Sequence, residues 1–322
     1  MKAVQIDEYG GPEALKYQDV SDLTPGEGQA LVDIQAVGVN FTDVYSRSGV
    51  NPGPPLPKTI GVEGAGTVRS VGPGVSGLKA GDVVAYCGTP GSYAEQAVVP
   101  AARLIKMPPG LDAKAGAAAM LQGMTAHYLC YSTYAVQPGD RVVVHAGAGG
   151  VGLLLTQMIK KLGGYVFSTV STEAKAELSR EAGADHVILY TQQDFAEDVK
   201  KATDGQGVQV VYDSVGKTTF DQSISCLGRR GSMVLYGQAS GLVPPMDPRV
   251  LGNGSLYLTR PALGDYTATR EELEQRAGDV LGWVKSGELK LRVEHVFPLS
   301  EAVEAHRQLE GRATTGKVLL IP

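Results

Sequence analysis

The stretch HAGAGGVG, His145 to Gly152, sets glycines at 147, 149 and 152 in the order G-x-G-x-x-G. It follows the apolar run RVVVHA and leads straight into VGLLLTQMIKKLG. In that strand-turn-helix setting the three glycines serve a tight turn, close backbone approach to a pyrophosphate, and close packing of helix on strand. A helix opening at Gly150, Val151 and Gly152 offers unpaired amides and a partial positive charge to phosphates. The plainer alternative is a glycine-rich turn with no ligand.

A dinucleotide fold that prefers a free ribose 2′-hydroxyl places an acid about 20 residues after the loop. Here the next strand ends in Val170-Ser171-Thr172, with no acid at its tip. Ser171 can donate a hydrogen bond, and Lys175 lies one helical turn on, where an ammonium would meet a 2′-phosphate. That spacing points to NADP(H); Lys175 as a solvated residue on an exposed helix face explains it equally well.

The loop opens almost halfway along a chain of 322 residues, longer than one hydrophobic core commonly serves, so two domains are expected. Up to about Arg103 the chain shows short β-rich runs cut by Gly and Pro: MKAVQI, ALVDIQAV, GTVRSV, DVVAY and YAEQAVV. They suit a compact, mostly antiparallel barrel. AKAGAAAMLQGMTAHYLC then reads as a helix, after which strands (RVVVHA, YVFSTV, HVILY, VQVVYD, SMVLYG) alternate with helical stretches. Such alternation predicts a doubly wound parallel sheet over residues 123–258. A helix near Glu271 to Lys285, a strand at Leu289 to Val296, a helix at Ser300 to Glu310 and the strand KVLLI break the pattern. They are expected to return to the first domain, giving it residues 1–122 and 259–322. If SMVLYG were the last strand of its sheet, its apolar edge would invite pairing in a homodimer.

With 43% hydrophobic and 20% charged residues the composition is globular. A formal net charge of −5 without a basic stripe argues against nucleic acid as a partner. No run reaches the ~18 apolar residues a membrane span needs, and Asp7 and Glu8 interrupt the place of a signal peptide, so a soluble cytoplasmic protein is expected. Asn40-Phe41-Thr42 and Asn253-Gly254-Ser255 then count as chance glycosylation matches. Cys87, Cys130 and Cys226 stand far apart, which rules out a clustered cysteine zinc site and suits three small buried hydrophobes.

VNFTDVYSRSG (39 to 49), AGAGGVGLLLTQMIK (146 to 160), VVYDSVG (210 to 216), GSLYLTRPAL (254 to 263) and GRATTGK (311 to 317) resemble the zinc-independent, zeta-crystallin-like quinone oxidoreductases of the medium-chain dehydrogenase/reductases. The resemblance covers nearly the whole chain and implies a GroES-like β-barrel catalytic domain beside the α/β Rossmann domain. Zinc-dependent relatives carry a Cys where Asn40 stands and a His-Glu pair where Val62-Glu63 stands. Without those ligands a metal Lewis acid is not expected, which disfavours alcohol oxidation and favours reduction of an electron-poor acceptor.

The resemblance also implies site residues. Phe41, Thr42, Asp43 and Tyr45 would line the nicotinamide pocket, with Asn40 at its edge and Asp43 orienting its neighbours. Read from the residues alone, Asn40 caps a short helix and Asp43 adds charge to its first turn. Cofactor contacts are implied for Thr125, Tyr128, Tyr190, Ser214, Tyr236, Gly237, Gln238 and Arg312, besides the glycine loop, Ser171 and Lys175. Aromatic residues such as Tyr128 also serve cores, and Arg312 alone would pass for a surface charge. Two departures stand out: Tyr236-Gly237-Gln238 replaces a common Phe-Gly-Asn, and Gly147 replaces a common alanine.

The expected activity is therefore NADPH-dependent reduction of quinones or other conjugated carbonyl compounds, by hydride or one-electron transfer. Tyr45 or Asn40 would hydrogen-bond the developing oxyanion, with solvent as proton source. A reductase of enals, enones or enoyl thioesters shares every cofactor residue, and a non-catalytic NADPH-binding or RNA-binding protein is the alternative of another class.

Overall fold

The computed structural model describes all 322 residues, and their contacts divide them into two compact units, 1–124 with 267–322, and 125–266. Residues 259–266 thus cluster with the second unit.

The first unit is built on β1 (Lys2–Ile6), β2 (Lys16–Asp19), β3 (Gln29–Val39), β4 (Lys58–Thr59), β5 (Glu63–Val71), β6 (Val83–Cys87), β7 (Gln96–Pro100) and β8 (Ile105–Lys106). Helix α1 (Phe41–Ser48) follows β3, and α2 (Ala113–Tyr128) carries the chain across the unit boundary. After the second unit the chain returns as α7 (Arg270–Ser286), β15 (Val293–Pro298), α8 (Ala302–Glu310) and β16 (Lys317–Ile321).

A seven-stranded sheet runs β15-β16-β3-β5-β6-β8, with β7 also paired to β3. β16 enters it antiparallel to β3, Val318 opposite Val39, so the C-terminal strand completes the N-terminal sheet. Alternation along β3 turns Ala30, Val32 and Ile34 into a core shared with Val68, Val84, Val99 and Leu320.

The second unit holds β9 (Arg141–Val144), α3 (Gly150–Lys161), β10 (Tyr165–Val170), α4 (Glu173–Glu181), β11 (His186–Leu189), α5 (Phe195–Ala202), β12 (Val208–Asp213), α6 (Phe220–Ser225), β13 (Leu227–Leu235) and β14 (Tyr257–Thr259). The strands are all parallel, in the order β11-β10-β9-β12-β13-β14, the doubly wound arrangement the alternation predicts. Helices on both faces explain why β9 and β12 read as nearly unbroken valine runs.

Three details differ from the sequence reading, the first being that the strand expected from Leu289 to Val296 lies at Val293–Pro298. β13 starts at Leu227, through GRRG, and a register shift between Val208 and Val210 of β12 accommodates the extra length. It is also not the last strand: β14 lies outside it, with Tyr257 62% exposed at the open edge.

Helix α2 continues into one π-helical turn, Leu129–Thr133. The Tyr212 hydroxyl, buried in β12, reaches the Leu129 carbonyl at 3.0 Å and that of Tyr134 at 3.2 Å. It is a second donor to the Leu129 carbonyl, which also accepts the Tyr134 amide at 3.2 Å, and it supplies one to the Tyr134 carbonyl where the turn ends. Tyr212→Phe should lower stability by about 1 kcal/mol in urea unfolding, the net worth of one hydrogen bond; an unchanged midpoint would show that the turn does not need this bond.

Candidate functional site

In the first unit the expected catalytic residues lie on and around α1. Asn40 occupies its N-cap with extended backbone, φ −140° and ψ 158°, and the Asp43 carboxylate accepts from the Asn40 amide at 2.9 Å. Gly49 closes the helix in the left-handed region, φ 81°.

The Asn40 side chain is engaged elsewhere. Its Nδ2 donates to the Gly38 carbonyl at 3.1 Å and to Glu63 Oε2 at 2.8 Å, while its Oδ1 accepts from Lys317 Nζ at 2.8 Å. Both amide hydrogens are therefore committed, and the oxyanion donation expected of Asn40 has no proton left to make it. Tyr45, the other donor the sequence offers for that role, is half-buried on α1.

Glu63 is the centre of this cluster. Its Oε2 also accepts from Lys317 Nζ at 2.5 Å, and its Oε1 accepts from the Leu121 amide of α2 at 2.6 Å. Glu63 and Lys317 are 0% and 2% exposed at their side chains. Gly38 makes room for the pair, since a Cβ there would overlap both the Glu63 carboxylate and the Ala117 carbonyl. One carboxylate thus ties β3, β5, α2, β16 and the start of α1.

A second buried chain holds α1 from below. Arg47 grips Glu310 with two bonds of 2.8 Å and sets Nη1 3.0 Å from His306 Nδ1. A guanidinium only donates, so His306 accepts at Nδ1 and its Nε2 proton faces the Tyr93 hydroxyl at 3.0 Å. Tyr93 in turn donates to Asp43 Oδ2 at 3.0 Å. Burial, helped by the nearby Arg47 charge, pushes His306 down to about 3 and keeps it neutral.

Asp43 is fully buried, and its Oδ1 has no hydrogen-bond partner. Desolvation raises its pKa to about 7, against the opposing bonds from Asn40 and Tyr93 and the Lys317 charge, with a smaller upward push from Glu63.

In the second unit the expected cofactor residues gather at the carboxyl ends of adjacent parallel strands. The glycine loop follows β9, Ser171 follows β10, Tyr190 follows β11, Ser214 follows β12 and Tyr236 to Gln238 follow β13. This edge is where open parallel sheets bind ligands. The loop is a close-packed cradle: a Cβ at Gly152 would overlap the Ala146 carbonyl, and one at Gly147 would overlap the Ser168 hydroxyl. Gly150, Val151 and Gly152 form the first turn of α3, with Gly149 at its N-cap. The residues fit a dinucleotide phosphate.

Lys175 lies half-buried in the first turn of α4, its amide on the Thr172 cap, and Tyr190 is 38% exposed next to the end of β10. Arg260 donates to Gln238 Oε1 and to the Leu235 carbonyl, both at 3.0 Å, and so fixes the residue that departs from the family pattern. Gly237 packs against Ser214 too closely for any Cβ. Thr125 and Tyr128 are buried, Tyr128 stacked on Tyr266 at 4.3 Å, so its aromatic ring serves the core. Phe41, Thr42 and Arg312 belong to the first unit; Arg312 is exposed with φ 57°.

Sequence reasoning passed over Arg47, Tyr93, His306 and Lys317, and took Glu63 only as half of a missing metal pair. The available signal was a lone charge inside an apolar strand, since buried Glu and Lys are rare unless paired. No three His, Cys, Asp or Glu side chains come together, so the residues present do not form a metal site.

Comparison with known proteins identifies the family of the chain. Residues 26–109 match the alcohol dehydrogenase GroES-like domain, and residues 182–320 match a family described as zinc-binding dehydrogenase. The chain is 43% identical to a quinone oxidoreductase of Pseudomonas aeruginosa, covering 100% of this chain and 99% of that protein. It is also 43% identical to a 2-haloacrylate reductase of a Burkholderia species, covering 99% and 98%. The structure of Escherichia coli quinone oxidoreductase complexed with NADPH superposes with a TM-score of 0.98 at 41% identity, covering 100% of both chains.

Asp43 offers a test of the α1 network. Its folded pKa lies above the ordinary carboxyl value, so the native protein keeps a proton that the unfolded chain releases. The stability this contributes is full below about pH 4 and lost as pH rises through about 7. Unfolding measured from pH 5 to pH 8 should therefore show the wild type losing about 3 kcal/mol relative to Asp43→Asn. Parallel pH profiles for the two proteins would contradict the assignment.

Proposed function

This chain belongs to the quinone oxidoreductase family of the medium-chain dehydrogenase/reductases, and from that premise we propose that it is an NADPH-dependent reductase of quinones. NADPH supplies the reducing equivalents, as hydride or as single electrons. Everything else is positioning and electrostatics, which the chain's own residues provide.

The observation that carries the reading is the glycine cradle at the carboxyl ends of β9, β10 and β12, with Ser171 and Lys175 at the end of the second of these. The cradle presents backbone amides and the amino end of α3 to the pyrophosphate. Ser171 and the Lys175 ammonium recognise the 2′-phosphate, Tyr190 covers the adenosine end, and Ser214, Tyr236, Gly237 and Gln238 support the nicotinamide end. In the first unit, Phe41, Thr42 and Tyr45 form the wall of the acceptor pocket on α1. The Tyr45 hydroxyl hydrogen-bonds the oxygen on which negative charge develops, and solvent delivers the proton. Asn40 and Asp43 hold α1 in place. With no cluster of metal ligands to supply a Lewis acid, the chemistry suits an acceptor that is already electron-poor.

A second reading has equal sequence support, because the 2-haloacrylate reductase stands at the same identity as the quinone oxidoreductase. In it the same cofactor residues serve reduction of an activated carbon-carbon double bond. No helix is long and apolar enough to cross a membrane, and we read the protein as a cytoplasmic homodimer joined through the open β14 edge, where Tyr257 and Leu258 are exposed.

NADPH and NADH oxidation, measured side by side with 9,10-phenanthrenequinone, 1,4-benzoquinone, an enal and 2-chloroacrylate, tests the proposal. Quinone-dependent oxidation with NADPH preferred is the expected result. Alkene saturation without quinone turnover would move the chain to the second reading. Lys175→Ala should raise KM for NADPH roughly thirty-fold, the loss of about 2 kcal/mol from one charge-assisted contact, and leave that for NADH unchanged.

A further inference from the structure

Beneath the expected cofactor loops, His145, Thr169, Asp213 and Ser223 are buried together, and none of them is a ligand contact in the reading above. Their hydrogen bonds have one direction. Ser223 donates to Asp213 Oδ2 at 3.0 Å, so the proton between Ser223 and His145 must come from His145 Nε2, 2.9 Å away. His145 Nδ1 is then the acceptor for the Thr169 hydroxyl at 2.8 Å. Burial holds His145 in its neutral form, which this pattern requires, against the opposing pull of Asp213.

The chain ends on a saturated carboxylate. Asp213 Oδ1 accepts the amides of Val215 at 2.7 Å and Gly216 at 2.9 Å, and Oδ2 accepts Thr219 at 2.7 Å as well as Ser223. Its main-chain carbonyl takes the amides of Tyr236 and Gly237 at 2.9 and 3.3 Å. Thr169 lies at the end of β10, His145 just beyond β9, Asp213 at the end of β12, and Tyr236 just beyond β13, four neighbouring strands of one sheet. From those four ends run the glycine loop, the Ser171 loop, the Ser214 turn and the Tyr236 to Gln238 segment.

We propose that His145 and Asp213 are positioning residues for the dinucleotide: the chain Thr169 to His145 to Ser223 to Asp213 fixes the loops after β9, β10, β12 and β13 as one preformed cradle. Loops held before the ligand arrives spare the ligand the entropy of ordering them, which appears as affinity. The inference rests on the cofactor reading above.

Thr169→Val and Ser223→Ala each remove one hydroxyl with little change of volume. The test is direct titration of the full chain with NADPH, well below the melting temperature of each variant, with melting measured separately. Each variant should raise the NADPH Kd about ten-fold through lost preorganisation. Thr169→Ser should restore it. The double variant should fall well short of a hundred-fold, because the second break acts on a chain already interrupted. A purely structural role would lower the melting temperature and leave the Kd of the folded protein within two-fold of wild type, and that result would overturn the inference. A wild-type chain that binds no NADPH would instead remove the cofactor reading and this inference with it.

Discussion

The buried pair of Glu63 and Lys317 is the contact on which the first unit depends. Two charges taken out of water cost several kcal/mol each, and their attraction repays that only when the remaining donors and acceptors are also satisfied. Here they nearly are: Glu63 takes Leu121, Asn40 and Lys317, and Lys317 is shared between Glu63 and Asn40. The arrangement dictates neighbours that otherwise look arbitrary. It needs glycine at 38, an amide at 40 and a lysine at the start of the last strand, and it closes the sheet by drawing β16 against β3. Helix α1 starts from that same point, so Tyr45 is presented from a helix anchored on an ion pair.

The second unit solves the same problem without a buried ion pair. A run of hydroxyls, one imidazole and one carboxylate passes hydrogen bonds along the carboxyl edge of the sheet, leaving no buried member of the set unpaired. Both units therefore use their buried polar residues to hold loop and helix starts. Precise placement is what a reaction with the chemistry supplied by a nicotinamide demands of the protein.

Much of this was legible in the sequence, and the limit has a physical cause. Periodicity and punctuation gave the alternating strands and helices, and the glycine spacing located the cradle, because those signals are local. Asn40 was legible as a helix cap but not as the partner of Lys317, which lies 277 residues away. Lys317 itself stands at the front of KVLLI, where a lysine looks like a solvated strand end. The π-helical turn after α2 is braced by a tyrosine hydroxyl 83 residues later, and β13 runs through GRRG, which skips the pairing with β12 while the Arg230 amide is held by the Gly254 carbonyl at 2.7 Å. In each case the missing information was a hydrogen bond to a residue distant in sequence.

The central claim, that one buried ion pair organises the first unit, is best tested by a double-mutant cycle of Glu63→Gln and Lys317→Met. Trp283, the chain's one tryptophan, lies on α7 of the same unit and reports its urea unfolding by fluorescence. Each single variant should cost about 3 to 5 kcal/mol, because it leaves a buried charge without its partner, and the double variant should cost clearly less than their sum. Additive losses, or single variants as stable as the wild type, would contradict the account.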